Sequence, residues 1–558
     1  MDQNIPDDFA DLIGIDAPAL KQGVPLVTMS GDAFEGASQT SFELALWDSP
    51  MKSADAEILP EKAILDPRVR DMRRNDALVS NGVRSHQDSI VGEIFLLNSK
   101  PNYTLLGLDE VWAEEFQEEV ESKFSTWAES LDFWPDAQGK STLTDLVRLA
   151  VGIYVTGGEV LASAEWLNEP GRPFSTAIQM IDLDRLSNPN GAVDTLTLRG
   201  GVTRNRFGAP TGYHIRNAHP TDFTFGNESF TWKYVPRTKP WGRLQMIHIV
   251  DQQRADQTRG VSAVVSALKE MRMTKKYRDI VLQSAALNAT YAASIESELP
   301  TEVVMTQAGG GDPSAITKYA AGYLGAIAEY TKGARNITID GVKIPHFFPG
   351  TKMKLQNAGT PGGLGTTFEA SMLRYIAASL GLSYEQLSKD YTQANYSNLR
   401  AALAETGKRQ RVEKRRVADR FASLVFRLWL EEALNKGQIT SMPRNAPNWY
   451  DGLNSDAYSQ ASWIGANNGQ IDGLKETQAA VLRINNGLGT HEDELAALGM
   501  DWRSVYRQAA REKKMREKLG IEFGADKTSK NTTNAASGTP TDDGGNPRSE
   551  VKGEDTDE

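Results

Sequence analysis

Six histidines, His86, His214, His219, His248, His346 and His491, are scattered without an HExxH motif or any paired ligand spacing. Each reads as structural. One acidic pair, Asp182-Leu183-Asp184, would put two carboxylates at i, i+2 on one strand, where they could hold a metal ion. The plainer reading of that pair is a surface turn. No GxSxG nucleophile elbow and no GxxxxGK phosphate loop occurs, and Gly309-Gly310-Gly311-Asp312, lacking the lysine, reads as a turn. The chain has no cysteine, which excludes disulfides and thiolate metal sites and favours a reducing, cytosolic place of assembly. These residues point away from an enzyme and call for no cofactor or metal.

Basic clusters are the richer signal. Lys269, Arg272, Lys275, Lys276 and Arg278 fall near the middle of one long helical stretch, and Lys269, Arg272 and Lys276 share a face at spacings of three and four. A second run, Arg400, Lys408, Arg409, Arg411, Lys414, Arg415, Arg416 and Arg420, is interrupted by Glu405, Glu413 and Asp419. It suits a solvated or subunit-pairing face, with DNA contact as the alternative. Between the two lies a polar loop with Lys389, Asp390, Tyr391, Gln393, Asn395 and Tyr396. The formal net charge is −12, which argues against tight wrapping of nucleic acid, because such binding rests on neutralising phosphates. Contact with DNA would have to be local or loose.

The elements that must position these residues follow from periodicity. A chain of 558 residues suggests about three or four structural units. Residues 1 to about 55 read as an irregular arm, and the start MDQNIPDDFADLIGID lacks the basic and apolar regions of a signal peptide, so export is not expected. Asp66-Pro67 looks like the cap and first turn of a helix running through Val69, Met72, Leu78, Val79 and Val83. A strand is expected at Ile90 to Leu97, and helices at Asp109 to Leu131 and Thr142 to Tyr154, the latter closed by Gly157-Gly158 before a strand at Val160 to Trp166. The apolar stretch Leu143 to Trp166 contains Asp145, Arg148, Glu159 and Glu165, which rules out a membrane span there. From Ile178 to Ile249, short alternating runs separated by turns such as Asn188-Pro189-Asn190-Gly191 predict an antiparallel sheet.

Val261 to Ser297 then reads as one helix of about 55 Å, long for a globular domain. A small α/β segment follows, with strands near Glu302 to Thr306, Ile337 and Met353 and a helix near Ala315 to Thr331. Helices are expected at Thr367 to Leu380, at Ser397 to about Asn435 with Gly437 beyond its end, at Lys475 to Asn485, and at Glu492 to Leu519. In the loop before Ser397, both Asn395 and Ser397 are candidate caps. Beyond Gly524 there is no aromatic residue and Val551 is the one large aliphatic, the composition of a disordered acidic tail.

Several segments, in order, resemble the lambda-type phage portal family. They are Arg73-Arg74-Asn75-Asp76-Ala77 through Asn81-Gly82 to Ile90-Val91-Gly92, then Met246-Ile247-His248-Ile249 with Arg254 and Gln257-Thr258-Arg259-Gly260-Val261, where Ser262 replaces a common proline. The most specific is Leu387-Ser388-Lys389-Asp390 followed by Ala394-Asn395-Tyr396-Ser397-Asn398-Leu399-Arg400-Ala401-Ala402-Leu403. Ile471-Asp472-Gly473-Leu474-Lys475-Glu476, Asn486-Gly487-Leu488-Gly489-Thr490 and Leu498-Gly499-Met500-Asp501 continue the pattern. The likeness spans roughly residues 60 to 520 and rests on the order of the motifs.

Such a resemblance implies an α+β fold with a wing, a stem of long helices, an α/β clip and a helical crown, closed into a dodecameric ring at a capsid vertex. It maps as arm 1–55, wing 56–260, first stem helix 261–297, clip 298–360, second stem helix 361–386, tunnel loop 387–397, long wing helix 398–437, wing or crown helices 438–523 and tail 524–558, and Lys269, Arg272, Lys275, Lys276 and Arg278 of the first stem helix would line the DNA channel, a solvated helix face being the alternative. The implied partners are double-stranded DNA in the channel, the terminase large subunit, the major capsid protein or scaffold, and head-completion or tail-adaptor proteins. Assembly would take place in the bacterial host cytoplasm and the product would reside in the virion, with no membrane involved. A closed heterologous interface gives such a ring, and a net-acidic subunit with a few basic rows suits a conduit that must let DNA slide. The rival reading is a metal-dependent nucleic-acid enzyme of phage packaging or replication, built on Asp182 and Asp184. A capsid shell protein is a third reading and has no support in the sequence.

Overall fold

A computed structural model describes residues 46–291 apart from 48, six helical positions between 317 and 325, and residues 337–339, 342–344, 365–467 and 472–521. Side chains are described at these positions except at 223–225, 286–291, 337–339, 342–344 and 365–366. The expected strands at Glu302 to Thr306 and Met353, the glycine turn at 309–312, the last residues of the Val261 to Ser297 helix, most of the arm and the acidic tail lie outside them. By its internal contacts the chain divides after Ser53; the elements below belong to the unit that begins at Ala54.

The first helix, α1 (Ala54–Asn75), begins a dozen residues before the expected Asp66 cap and runs through Pro60 and Pro67. Asp66 is buried inside it, 3.0 Å from Lys62 one turn earlier, and the Lys62 ammonium donates to the carbonyls of Gly157 (3.3 Å) and Gly260 (2.8 Å). This tertiary anchoring outweighs the intrahelical bond that Pro67 cannot make. The cap signal belongs instead to Asp76, whose carboxylate accepts from the amides of Leu78 and Val79 and splits the expected single helix into α1 and α2 (Ala77–Ile90). Gly92, at φ +75°, turns the chain, so the strand expected from Ile90 starts only at Leu96, as β1 (Leu96–Ser99).

After the short α3 (Tyr103–Leu106), Asp109 caps α4 (Glu110–Ala128) and a Thr142–Asp145 capping box opens α5 (Leu143–Gly157). All paired strands of the sheet region are antiparallel. A three-stranded sheet orders β3 (Thr176–Met180), β2 (Glu159–Trp166) and β8 (Met246–Val250); a four-stranded one runs β4 (Leu198–Arg199), β5 (Val202–Arg204), β6 (Pro210–Arg216), β7 (Trp232–Pro236). Strands β5 and β7 have no counterpart in the alternating runs. Gly158 ends α5 at φ +73°, and a Cβ there would sit 2.3 Å from the Val261 backbone, so β2 starts hard against the segment that leads into the long helix.

That helix does not begin at Val261. Ser262 caps a 3-10 turn, Ala263–Ala267, and α6 follows as Leu268–Tyr291. A hairpin of β9 (Ile337–Ile339) and β10 (Val342–Ile344) precedes α7 (Gly365–Leu380) and α8 (Tyr384–Ser388). Next come α9 (Tyr396–Glu413), a π-helical stretch Lys414–Asp419 and α10 (Arg420–Asn435), one continuous rod. Thr406 is the only buried residue of α9, whereas α10 buries Phe421, Val425, Phe426, Leu428, Trp429 and Leu430. Gly437 ends the rod at φ +62°, as expected. Beyond α11 (Asn454–Tyr458), β11 (Ala461–Ile464) pairs with β1. The last helices, α12 (Gly473–Asn485), α13 (His491–Ala497) and α14 (Trp502–Leu519), have no buried residue, and the expected single helix from Glu492 is broken at Gly499.

The main core packs α4, α5 and α10 around Phe124, Trp127, Phe426, Trp429 and Trp463, with ring centroids 5.2 to 6.5 Å apart. Such aromatic pairs add about 0.5 to 1.5 kcal/mol each beyond the area they bury. A second core, with Val69, Val83, Val264, Met271, Leu373, Ile376, Leu380 and Leu387, seats the start of α6 and the second half of α7 against α1 and α2. No helix among the described residues is long and apolar enough to cross a membrane.

Candidate functional site

The two helices that carry the first basic cluster's neighbourhood, α6 and α7, are joined by Arg278, whose Nε donates to Glu369 at 2.6 Å. Lys275 turns the other way and donates to the Asn75 carbonyl at 2.9 Å. The remaining three, Lys269, Arg272 and Lys276, are exposed on one face of α6 and make no ion pair among the described residues. The five-residue cluster therefore separates into two cations that tie α6 to its surroundings and three that face outward.

In the loop between α8 and α9, Lys389 adopts φ +58° and Asp390 accepts from the Thr392 amide (3.0 Å) and hydroxyl (2.6 Å). Those bonds hold the Asp390 carboxyl below its usual range. Asn395 caps α9 by accepting from the Asn398 amide, while Ser397 is already inside the helix. Tyr391, Gln393 and Tyr396 are exposed. Loop geometry is thus set by local polar contacts, and its aromatic side chains are left outward.

The basic run on the rod also divides. Lys414 lies within the π-helical stretch, bonded to Asp419 (2.5 Å) and the Trp463 carbonyl (2.8 Å) and stacked over Phe95. Arg416 bridges Asp251 (2.5 Å) and the Tyr154 hydroxyl (3.3 Å), and Arg409 lies 3.1 Å from Glu413. Burial alone would raise the Glu413 carboxyl, but His86, 2.9 Å away on α2, and Arg409 hold it below the ordinary range. Arg400, Lys408, Arg411, Arg415 and Arg420 stay exposed.

The base of α6 is fixed by a charged node that the spacing of residues did not announce. Glu159, fully buried at the start of β2, takes the Arg259 guanidinium (2.8 Å), the Lys62 ammonium (3.3 Å), His248 Nε2 (3.1 Å) and the Gly260 amide (2.9 Å). Arg259 also donates to the carbonyls of Leu186 and Gly200, both at 2.8 Å. Burial by itself would push the Glu159 carboxyl up; Arg259, Lys62 and His248 together bring it well below the usual carboxylate range. One clue was present, since Arg259 and Gly260 sit in the quoted Gln257 to Val261 motif. Lys62 and Glu159 gave none.

Asp182 and Asp184 are not on a strand. Asp182 caps the 3-10 turn Leu183–Arg185, and Asp184 accepts from Arg70 (2.6 Å) and lies 3.1 Å from His219 Nε2. Ligand atoms of Asp182, Asp184 and His219 come within 4.8 Å of one another, but the positive charge the acids face is the Arg70 guanidinium. Asp184 is accordingly held below its ordinary value, with Arg70 outweighing the effect of burial. An internal ion pair, not a metal-dependent nuclease centre, is what this geometry supports. His214 is partly desolvated on β6 and pushed down, and His491 stacks edge-on with Tyr506.

Comparison with known proteins bears on the same ordered motifs. Residues 41–416 match the family described as phage portal protein, lambda family. The portal protein of Escherichia phage N15 is 37% identical over 479 residues, covering 86% of this chain and 89% of that protein. Portal protein B of Escherichia phage lambda is 36% identical over 488 residues, 87% of this chain and 90% of its own length. Among solved structures, the neck of an empty gene transfer agent particle aligns at a TM-score of 0.36 and 14% identity, over 79% of this chain and 93% of that one. With a family match over most of its length and relatives above one-third identity along nearly the whole of theirs, the chain belongs to the lambda family of phage portal proteins.

Proposed function

We propose that copies of this chain close into a dodecameric ring at a capsid vertex and that DNA enters and leaves through its channel, with α6 and α7 as the stem. The observation that carries this reading is the outward row Lys269, Arg272 and Lys276 on a helix otherwise pinned by Lys275 and Arg278. Three cations per subunit on a net-acidic chain attract phosphates at intervals without the dense contact that would hold DNA still. In this reading the Lys389 to Tyr396 loop projects into the channel as a tunnel loop, and residues 298–360 form the outward clip that meets terminase and later the head-completion or tail-adaptor proteins. The exposed Arg400, Lys408 and Arg411 of α9 and Arg415 of the π-helical stretch suit pairing with acidic groups of the adjacent subunit, as do the unburied helices α12 to α14. The major capsid protein or scaffold surrounds the ring in the virion, after assembly in the host cytoplasm.

The test pairs microscopy with packaging. Purified chain should give rings with a central hole by negative stain. The double reversal Lys269→Glu with Lys276→Glu should leave rings intact while reducing packaged DNA; Lys275 is unsuitable, because its bond to Asn75 is structural. Compact monomers, or normal packaging by the reversed variant, would sink the stem assignment.

A further inference from the structure

A cavity of about 430 Å³ opens between the end of α1 and one side of α2, lined by Arg70, Arg73, Arg74, Ser80, Arg84 and Gln87. Four guanidinium groups share it. Two have internal acids: Arg70 lies 2.6 Å from Asp184, and Arg74 is 3.4 Å from Asp71. Arg73 and Arg84 have no ion pair or hydrogen bond among the described residues. Arg73 is half-buried, and burial together with the like charge of Arg84 pushes its guanidinium below the usual value.

The surrounding fold builds this crowding. Gln87 is pinned to the back wall by donating to the Arg148 carbonyl at 2.7 Å. Gly152 of α5 leaves room for it: a Cβ there would lie 2.6 Å from Gln87 Nε2 and 3.5 Å from Arg73 Nη2. A place in the last turn of α1 favours Arg73 and Arg74 through the helix dipole. It does not account for Arg84, which lies in the middle of α2 and brings a second unpaired charge to the same cavity.

Two like charges on one pocket wall, Arg73 half-buried and Arg84 exposed, repel, and the arrangement is eased when a counter-charge enters. Guanidinium forks match the planar or tetrahedral oxygens of carboxylate and phosphate. A carboxylate or a nucleic-acid phosphodiester brings one negative charge, whereas free phosphate or a phosphate monoester carries about 1.5 to 2 near neutrality, which matches the two uncompensated arginines.

We propose that this pocket is a phosphate-binding site in which Arg73 and Arg84 bind the oxyanion directly and Arg70 and Arg74 supply outer positive charge. The phosphate comes from free phosphate, which is the better charge match, or from a nucleic-acid backbone, in which each phosphodiester brings one charge. The proposal is independent of whether α6 faces a channel.

Titration calorimetry of the full chain with inorganic phosphate, at ionic strength held constant with chloride, tests it. The expected result is saturable binding at one site per chain, weakened at least tenfold by Arg73→Gln or by Arg84→Gln. Removing either charge relieves the repulsion, so in phosphate-free buffer both variants should melt no lower than the parent. A short DNA duplex that competes with phosphate would assign the backbone as the source, and failure to compete would assign free phosphate. Absence of saturable binding in the parent, or unchanged binding in the double variant, overturns the proposal. So does a double variant that fails to form rings while the parent ignores phosphate, because the counter-charge is then a carboxylate of a second copy.

Discussion

Replacing Glu159 by Gln keeps the outline of the side chain and removes the charge on which four donors converge. The parent carboxylate accepts from Arg259, Lys62, His248 and the Gly260 amide, all within 3.3 Å. In the amide one oxygen still accepts, but the other position becomes a donor aimed at donors, and Arg259 and Lys62 remain buried without their counter-ion. Breaking a buried pair from one side costs about 3 to 5 kcal/mol, a large share of the roughly 5 to 15 kcal/mol that a domain has in reserve. At about 2 to 4 °C per kcal/mol the melting midpoint should drop on the order of 10 °C. The readout is thermal unfolding followed by tryptophan fluorescence, with the parent and Glu159→Gln compared across pH. Because the folded value of Glu159 is depressed, its contribution is fully present above the ordinary carboxylate range and is lost progressively as pH falls from that range toward the folded value. The difference between the two proteins should therefore stay constant from neutrality down to the ordinary carboxylate range and narrow below it. A midpoint within about 2 °C of the parent, or a gap that already closes near neutrality, would refute the reasoning.

Glu121 has the opposite sign. Burial pushes its carboxyl from 4.5 to about 7, despite Arg503 at 3.1 Å, so the folded state holds a proton that the unfolded chain has released, and stability should decrease as pH rises from about 4.5 to about 7. In Glu121→Gln that slope should flatten, which chemical denaturation at several pH values would measure. Gly158→Ala combines a left-handed residue, worth about 1 to 2 kcal/mol, with a Cβ driven into the Val261 backbone. It should lower the melting midpoint more than an alanine at the open, positive-φ Gly171, and equal midpoints would count against the close packing of β2 on the base of α6.

Local chemistry was legible where it acts locally. The helix starts near Asp109 and Thr142, Gly437 as terminator, and the alternating runs between Ile178 and Ile249 that became β3, β6 and β8 all follow from contacts within a few residues. The face shared by Lys269, Arg272 and Lys276 was equally readable, being helical spacing alone. What misled was burial decided from far away. Pro67 looked like a helix start because nothing nearby shows that Lys62, five residues earlier, would be held by carbonyls 95 and 198 residues on. Lys275 and Arg278 looked like their neighbours until partners 200 and 91 residues distant claimed them. The 3-10 turn before α6 and the π-helical stretch in the rod are tertiary accommodations of segments with ordinary helical composition.

The π-helical stretch Lys414–Asp419 separates an exposed half-rod from a buried one. Each residue of an α-helix advances the azimuth by about 100°, so the wide turn works as a phase adjuster between the two halves. Loss or gain of one residue there would leave α10 seated among its aromatics yet swing Arg400, Lys408 and Arg411 more than a quarter of the way around the axis. Charge on this arm is therefore aimed by residue count, and its heading is tied to the core through Val417 and Ala418, which lie in the same stretch.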